Sequence, residues 1–207
     1  MKLGKSLLRI VDLSDPEWGP YWTNYKFMKK KLKEYYGEEC RTGVTVVDPA
    51  QASDPKEITK SSKEIEFFRL LRTELKKTSD FFISAEQIYQ IRYQRVRDGY
   101  LMLQQKKPTA HDKETWTRLL SACVKFYKDV LMLENFAIMN YCAFSKILKK
   151  HDKITGYVTR DAFMGNVMSK QNFTDHPQVL EMIKQSERLF TEIQKLERYV
   201  CMYVCNN

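Results

Sequence analysis

Residues 112–156 read DKETWTRLLSACVKFYKDVLMLENFAIMNYCAFSKILKKHDKITG, and the fold turns on this stretch. Trp116, Leu120, Cys123, Tyr127, Val130, Leu133, Ala137, Tyr141, Phe144 and Leu148 recur at gaps of three and four, the period of one apolar helix face. The stripe stops at Thr155-Gly156, where glycine suits the left-handed position that follows a helix. Upstream, Phe68, Leu71, Leu75, Thr78, Phe82, Ala85, Tyr89, Tyr93, Val96 and Tyr100 repeat the pattern over about nine turns. Two helices of this length, each with one aromatic-rich face, predict a bundle whose rings form the core and serve no cofactor.

The flanking signals fit that frame. Ser14-Asp15-Pro16-Glu17 combines an N-cap, a first-turn proline and a capping glutamate, which predicts a helix from Pro16 to Gly37 kinked near Gly19-Pro20. A shorter helix over residues 2 to 11 makes 1–37 a hairpin. Gly43, Pro49 and Ser53 mark 38–54 as a loop, and Asp54-Pro55 repeats the cap-then-proline signal. Lys106-Lys107-Pro108 ends the first long helix, and Thr109 with Asp112 caps the second. After Gly156, a short helix over 159–169 and a last one from Pro177, with Ile183, Phe190, Ile193, Leu196 and Val200, complete the chain. The expected fold is all-α: an N-terminal helical hairpin (1–37), the loop (38–54), two long helices (55–155) and shorter C-terminal helices (156–207), as one domain over 1–207.

Composition narrows function. In 207 residues, 35 Lys and Arg against 26 Asp and Glu leave a net charge of +9, which suits a polyanionic partner. Seven Gly and six Pro supply too little turn chemistry for a many-stranded sandwich or barrel. No apolar run approaches the ~18 to 20 residues that span a bilayer. The N-terminal segment is neither a secretory signal nor a transit peptide, because Arg9 interrupts its apolar part and Asp12, Asp15 and Glu17 follow. Five cysteines, Cys40, Cys123, Cys142, Cys201 and Cys205, form no C-x-x-C pair, so reduced thiols in the cytoplasm or nucleus are expected. His111, His151 and His176 lie far apart without a ligand spacing; we expect surface residues and no metal site. Carboxylates interleave with lysines, as in Glu74-Leu75-Lys76-Lys77, the pattern of a solvated face. No catalytic constellation emerges, and the expectation is a protein that is not an enzyme and needs no cofactor.

The unusual feature is lysine spacing. Lys26, Lys29, Lys30 and Lys33 fall at offsets 0, 3, 4 and 7, and Lys146, Lys149, Lys150 and Lys153 repeat those offsets. Each set occupies one arc of a helix at about 100° per residue. Like charges four residues apart oppose the helix by about 0.2 to 0.5 kcal/mol per pair, so an anion is the expected counterpart. The bland alternative is a pair of solvated lysine faces.

Met1-Lys2-Leu3-Gly4-Lys5, Pro16-Glu17-Trp18, Tyr25 with Lys29, Glu66-Phe67-Phe68, Asp80-Phe81-Phe82, Asn140-Tyr141 and Lys146-Ile147-Leu148-Lys149-Lys150-His151-Asp152-Lys153 with Thr155-Gly156 resemble, in order and spacing, the SPX domains. The resemblance spans nearly the whole chain, with Gly19-Pro20 a departure from it. It implies a hairpin on a long-helix bundle and a phosphate-status sensor that binds inositol polyphosphates such as inositol hexakisphosphate, and inositol pyrophosphates. By this resemblance Tyr25, Lys29 and Lys150 match the phosphate-binding cluster, Lys146, Lys149 and Lys153 match its adjoining lysine surface, and Lys2 is a further contact. Lys30 and Lys33 are added from helical geometry as accessory charges. Further implications are a stand-alone adaptor for a protein partner such as a phosphate-starvation transcription factor, or alternatively an excised sensor domain of a phosphate transporter or polyphosphate polymerase. A basic helical nucleic-acid-binding protein is the rival class; with the aromatics on core stripes and no recognition-helix signature, direct nucleic-acid binding is not expected.

Overall fold

The computed structural model describes residues 3–37, 61–105 and 112–205. The expected 38–54 loop, the Asp54-Pro55 and Thr109 caps and the Lys106-Lys107-Pro108 stop lie outside these residues. The described chain forms α1 (Leu3–Leu13), a 3₁₀ helix (Pro16–Tyr21), α2 (Tyr25–Tyr36), α3 (Ser62–Gln104), α4 (Asp112–Thr155), α5 (Arg160–Asn166), a 3₁₀ turn (Met168–Lys170) and α6 (Pro177–Cys205). No strand occurs among the described residues, and the all-α expectation holds.

The helix expected from Pro16 to Gly37 is two elements. Its start is as read: Asp15 caps by accepting from the Glu17 amide at 3.0 Å, with Pro16 following. Pro20 then stops it, because a proline inside a helix offers no N–H and crowds the preceding turn. Trp22 is extended (φ −62°, ψ 144°), and α2 restarts under a second cap, Asn24, whose side chain accepts from the Phe27 amide at 3.1 Å. Gly37 ends α2 where a β-carbon would stand 2.2 Å from the Lys33 carbonyl oxygen. Gly156 follows α4 at φ 78°, its amide donating to the Asp152 carbonyl at 2.9 Å, as the glycine signal implied.

Two compact units divide the chain, one drawn from Met1–Phe82 and Phe136–Asp175, the other from Ile83–Asn135 and His176–Asn207. The second unit is a three-helix bundle of parts of α3, α4 and α6, centred on Tyr100, Trp116, Cys123, Leu189 and Ile193. An Arg92–Asp129 ion pair at 2.6 Å lies within it.

In the first unit, Met28 and Leu32 of α2, Phe67 and Leu71 of α3, and Phe144, Ile147 and Leu148 of α4 are all fully buried. Trp18 and Trp22 close one end on Phe136, at ring separations of 6.0 and 4.7 Å. Not every ring on the expected stripes is core: Tyr141 is 39% exposed, and its neighbour Asn140 is fully buried instead. The reason is a hydrogen bond that an apolar side chain cannot make. Asn140 Oδ1 accepts the Thr23 amide at 2.8 Å, while its Nδ2 donates to the Phe136 carbonyl at 2.7 Å. The extended break before α2 thereby has its buried donor satisfied by α4.

Replacing Asn140 with Ala should leave the Thr23 amide buried without an acceptor and lower stability by about 1 to 3 kcal/mol. Urea denaturation followed by circular dichroism reads this directly. An Asn140→Ala protein as stable as the wild type would show that Thr23 finds another acceptor.

Candidate anion-binding site

Both ends of α2 are fastened. At the N-terminal end, besides Asn140, the Asn24 amide donates to Glu74 Oε2 at 2.8 Å. Lys77 Nζ donates to the same oxygen at 2.8 Å and to the Trp22 carbonyl at 3.0 Å. Glu74 and Lys77, expected on a solvated face, are thus structural: their charges cancel at the base of α2. At the C-terminal end, the Tyr36 hydroxyl donates to Glu64 of α3. The same carboxylate accepts from His151 Nε2 of α4 at 3.0 and 3.1 Å.

His151 is therefore not the surface residue expected from sequence. It is fully buried, beside a Glu64 that is 1% exposed. Its Nδ1 lies 3.1 Å from Asp152 Oδ1, and Asp152 also accepts from the Thr159 hydroxyl at 2.6 Å and the Arg160 amide at 2.9 Å. Burial opposes the imidazolium, but hydrogen bonds to Asp152 and Glu64 and their charges outweigh it, and the histidine lies above its ordinary value. Burial likewise opposes the Asp152 carboxylate, and the donors from His151, Thr159 and Arg160 hold it below the usual range.

These fastenings set the register of the lysines. Thr23 pairs with residue 140, and Tyr36 is joined to residue 151 through Glu64, so α2 runs alongside α4 in the same direction over about 17 to 20 Å. Lys29 and Lys33 then stand roughly level with residues 145–149, at equal rise per residue along each helix. Lys26, Lys29, Lys30 and Lys33 on α2 are exposed, as are Lys146, Lys149 and Lys153 on α4; Lys150, next to His151, is half-buried. None of the eight has an ion-pair partner among the described residues, whereas Lys31, outside the arc, pairs with Glu34 at 3.0 Å.

A groove of about 750 Å³ opens between α1 and the start of α2, with Leu7, Leu8 and Trp22 in its wall and Tyr25, Lys26 and Lys29 at its edge. Tyr25 is half-buried, and burial raises its hydroxyl above the ordinary value, so it stays a donor at neutral pH. A β-carbon on Gly4 would lie 3.9 Å from the Tyr25 ring, which shows how closely the first turn of α1 approaches this residue. Lys30 and Lys33 line an adjoining groove of about 460 Å³ with Lys26 and Lys29. Tyr25 and Lys29 are thus brought into one groove. Lys146, Lys149, Lys150 and Lys153 lie on the neighbouring helix, and Lys2 lies outside the described residues. Sequence reasoning missed Lys5 and Lys77, which line the larger groove, and Arg160, whose guanidinium is held by Ser145 Oγ at 3.0 and 3.3 Å. Lys5 stands one turn ahead of Arg9 on a basic N-terminal helix, a signal that was present; nothing local distinguishes Lys77 or Arg160.

An all-α unit that aligns unpaired lysines beside a tyrosine hydroxyl has the chemistry of an anion-binding module. A family described as SPX domain matches residues 88–167. SPX domain-containing protein 1 of Arabidopsis thaliana is 31% identical over 193 residues, covering 93% of this chain and 71% of that protein. SPX domain-containing protein 2 of the same plant is 32% identical over 182 residues, with 84% and 60% covered. SPX domain-containing protein 1 of Oryza sativa subsp. indica is 30% identical, with 93% and 65% covered. The chain belongs to the SPX domain family. Among solved structures, the SPX domain of Chaetomium thermophilum glycerophosphodiester phosphodiesterase 1, in complex with inositol hexakisphosphate, shares the fold, with a TM-score of 0.71 at 22% identity over 94% of this chain and 99% of that one. No described helix is long and apolar enough to cross a membrane.

Eight ammonium groups on two adjacent helices, without ion-pair partners among the described residues, should make the free protein gain stability with ionic strength, since salt screens repulsion between exposed charges. Melting temperature at low and high sodium chloride measures this. The gain should shrink in a Lys30→Gln/Lys146→Gln double variant; an equal gain in both proteins would place the repulsion elsewhere.

Proposed function

We propose that this chain is a phosphate-status sensor: its lysine arcs and Tyr25 bind inositol polyphosphates or inositol pyrophosphates, and the bound state is passed to a protein partner. The observation that carries the reading is two lysine arcs without ion-pair partners among the described residues, held level by fastenings at both ends of α2. A ring crowded with phosphates is a compact anion presenting charge in many directions, and ammonium groups on flexible stems reach it as point charges. Tyr25, Lys29 and Lys150 are the proposed inner contacts. Lys146, Lys149 and Lys153 form the adjoining surface, Lys2 is a further contact, and Lys30 and Lys33 supply field. The inositol hexakisphosphate in the Chaetomium complex and the SPX names of the plant relatives support this ligand class.

The alignments with relatives run over most of the chain, which supports taking 1–207 as one SPX domain. We favour an adaptor acting in the cytoplasm or nucleus on a partner such as a phosphate-starvation transcription factor, and a binding protein rather than a catalyst. The signalling step follows from charge. Without ligand the two arcs repel; a polyanion that bridges them stabilises the arrangement by RT ln(1 + [L]/Kd), about 2.7 kcal/mol at a hundredfold excess over Kd. A partner that recognises the bridged arrangement then binds more tightly when phosphate is plentiful.

Titration calorimetry should show inositol hexakisphosphate binding that falls at least about tenfold, or 1.4 kcal/mol, in Lys29→Ala, Lys149→Ala and Lys150→Ala. Helical content should be unchanged. Unaltered affinity in all three variants would remove the assigned site. Tighter binding of a short DNA duplex than of the inositol ligand at equal salt would replace this reading with nucleic-acid binding.

A further inference from the structure

We propose that His151, acting through Glu64 and Tyr36, is a positioning residue: its proton sets the placement of the α2 lysines against the α4 lysines, so polyphosphate affinity follows its protonation. This rests on the ligand reading above and adds to it a regulation of the same site.

The geometry is that of a built-in cation. Nε2 faces both oxygens of Glu64 and Nδ1 faces Asp152, so each ring nitrogen meets a carboxylate, and only the doubly protonated ring donates at both. The ring stacks on Phe67 at 4.6 Å and 5°, with Phe68 at 5.5 Å and Tyr36 at 6.1 Å presenting edges around it. An aromatic face favours a cation laid against it. Around the imidazole stand Glu64 from α3, Tyr36 from α2, Asp152 from α4, and Tyr157 and Thr159 from the segment leading to α5. Arg160 reaches the cluster through its amide on Asp152, and Lys63 stands 5.8 Å over the Tyr36 ring.

Loss of the proton breaks this arrangement at one point. A neutral ring can donate from only one nitrogen, and Glu64 or Asp152 then faces a lone pair inside the protein. Glu64 is also the acceptor for Tyr36, so disturbance there loosens the C-terminal fastening of α2. Lys33 lies about one turn and Lys29 about two turns from Tyr36, and Lys150 directly precedes His151. The N-terminal fastening, by contrast, runs through the Asn140 amide and Glu74 and contains no imidazole. The sign follows from the raised imidazole: the proton is present at neutral pH and is lost as pH rises through that raised value, taking affinity with it.

The test is calorimetric titration of the intact chain with inositol hexakisphosphate at fixed ionic strength, from about pH 6 to about pH 9, bracketing the ordinary histidine value of ~6.5 and the range above it. Wild type, His151→Gln and Glu64→Gln are compared at each pH, so that ionisation of the ligand itself cancels in the ratio of affinities. His151→Gln should bind about tenfold more weakly at the acid end, a difference readily resolved in Kd, and converge on the wild type at the alkaline end. Glu64→Gln, which withdraws one carboxylate, should move the step to lower pH. The wild-type step should coincide with the His151 titration midpoint followed by NMR. A ratio that stays flat with pH, a step displaced from that midpoint, or a step that Glu64→Gln leaves in place overturns the proposal. If His151→Gln loses helical content, the Glu64→Gln step and the NMR midpoint still decide. Absence of binding by a folded wild type overturns the ligand reading and this proposal together, whereas wild-type binding with a flat ratio overturns this proposal alone.

Discussion

The Glu64 carboxylate, shared between the Tyr36 hydroxyl and the His151 imidazole, is the interaction on which the arrangement of the first unit depends. Helix α2 carries an arc of four lysines beside a helix that carries a second such arc, and Coulomb repulsion acts to part them. The apolar contacts of Met28 and Leu32 hold α2 against the core but do not fix its position along α4, because apolar burial is non-directional. Direction comes from hydrogen bonds at the ends, Thr23 to Asn140 at one and Tyr36 to Glu64 to His151 at the other. Removing one member of a buried charged cluster strands the others, so the C-terminal fastening acts as a unit.

The distribution of charge shows a second constraint. Several other cations have partners: Lys77 on Glu74, Lys31 on Glu34, Arg92 on Asp129 and Arg118 on Glu114. The lysine arcs have none among the described residues. At the end of α4, Lys153 sits where the helix dipole favours a cation, which offsets part of the repulsion without neutralising it. Glu34, Glu64, Glu74 and Asp152 are engaged with Lys31, His151, Lys77 and the Arg160 amide respectively, so none of these four carboxylates is paired with an arc lysine.

Much of the fold was legible because burial imposes a period. The stripes from Phe68 to Tyr100 and from Trp116 to Leu148 locate α3 and α4, and proline and glycine chemistry at Pro16, Gly156 and Pro177 marks ends that the structure reproduces. The break at Pro20 within the expected Pro16–Gly37 helix is local, but the misread side chains share a cause: each depends on a partner distant in sequence. Tyr141 fits the stripe by spacing, but the inward position belongs to Asn140 because the Thr23 amide, 117 residues away, needs an acceptor. His151 looks like a surface residue between lysines until Glu64, 87 residues away, supplies a counter-charge. Glu74 and Lys77 look solvated because their other partners, Asn24 and Trp22, follow a break that Pro20 creates. The lysine arcs themselves were legible because they follow local helical spacing; their register was not.

Spacing of three and four on one helix aligns charges along a single line, and a line can follow any extended polyanion. Recognition of a compact, three-dimensional anion requires two lines at a fixed offset with a directional donor between them. On the proposed reading Tyr25 would be that donor; it is half-buried close to the first turn of α1, and burial raises its hydroxyl above the ordinary value. The offset is set by Asn140 and Glu64, neither of which lies on an arc. If the proposed ligand is bound, discrimination between a compact ring and an extended backbone would rest on this offset, and the lysines alone would give attraction without shape.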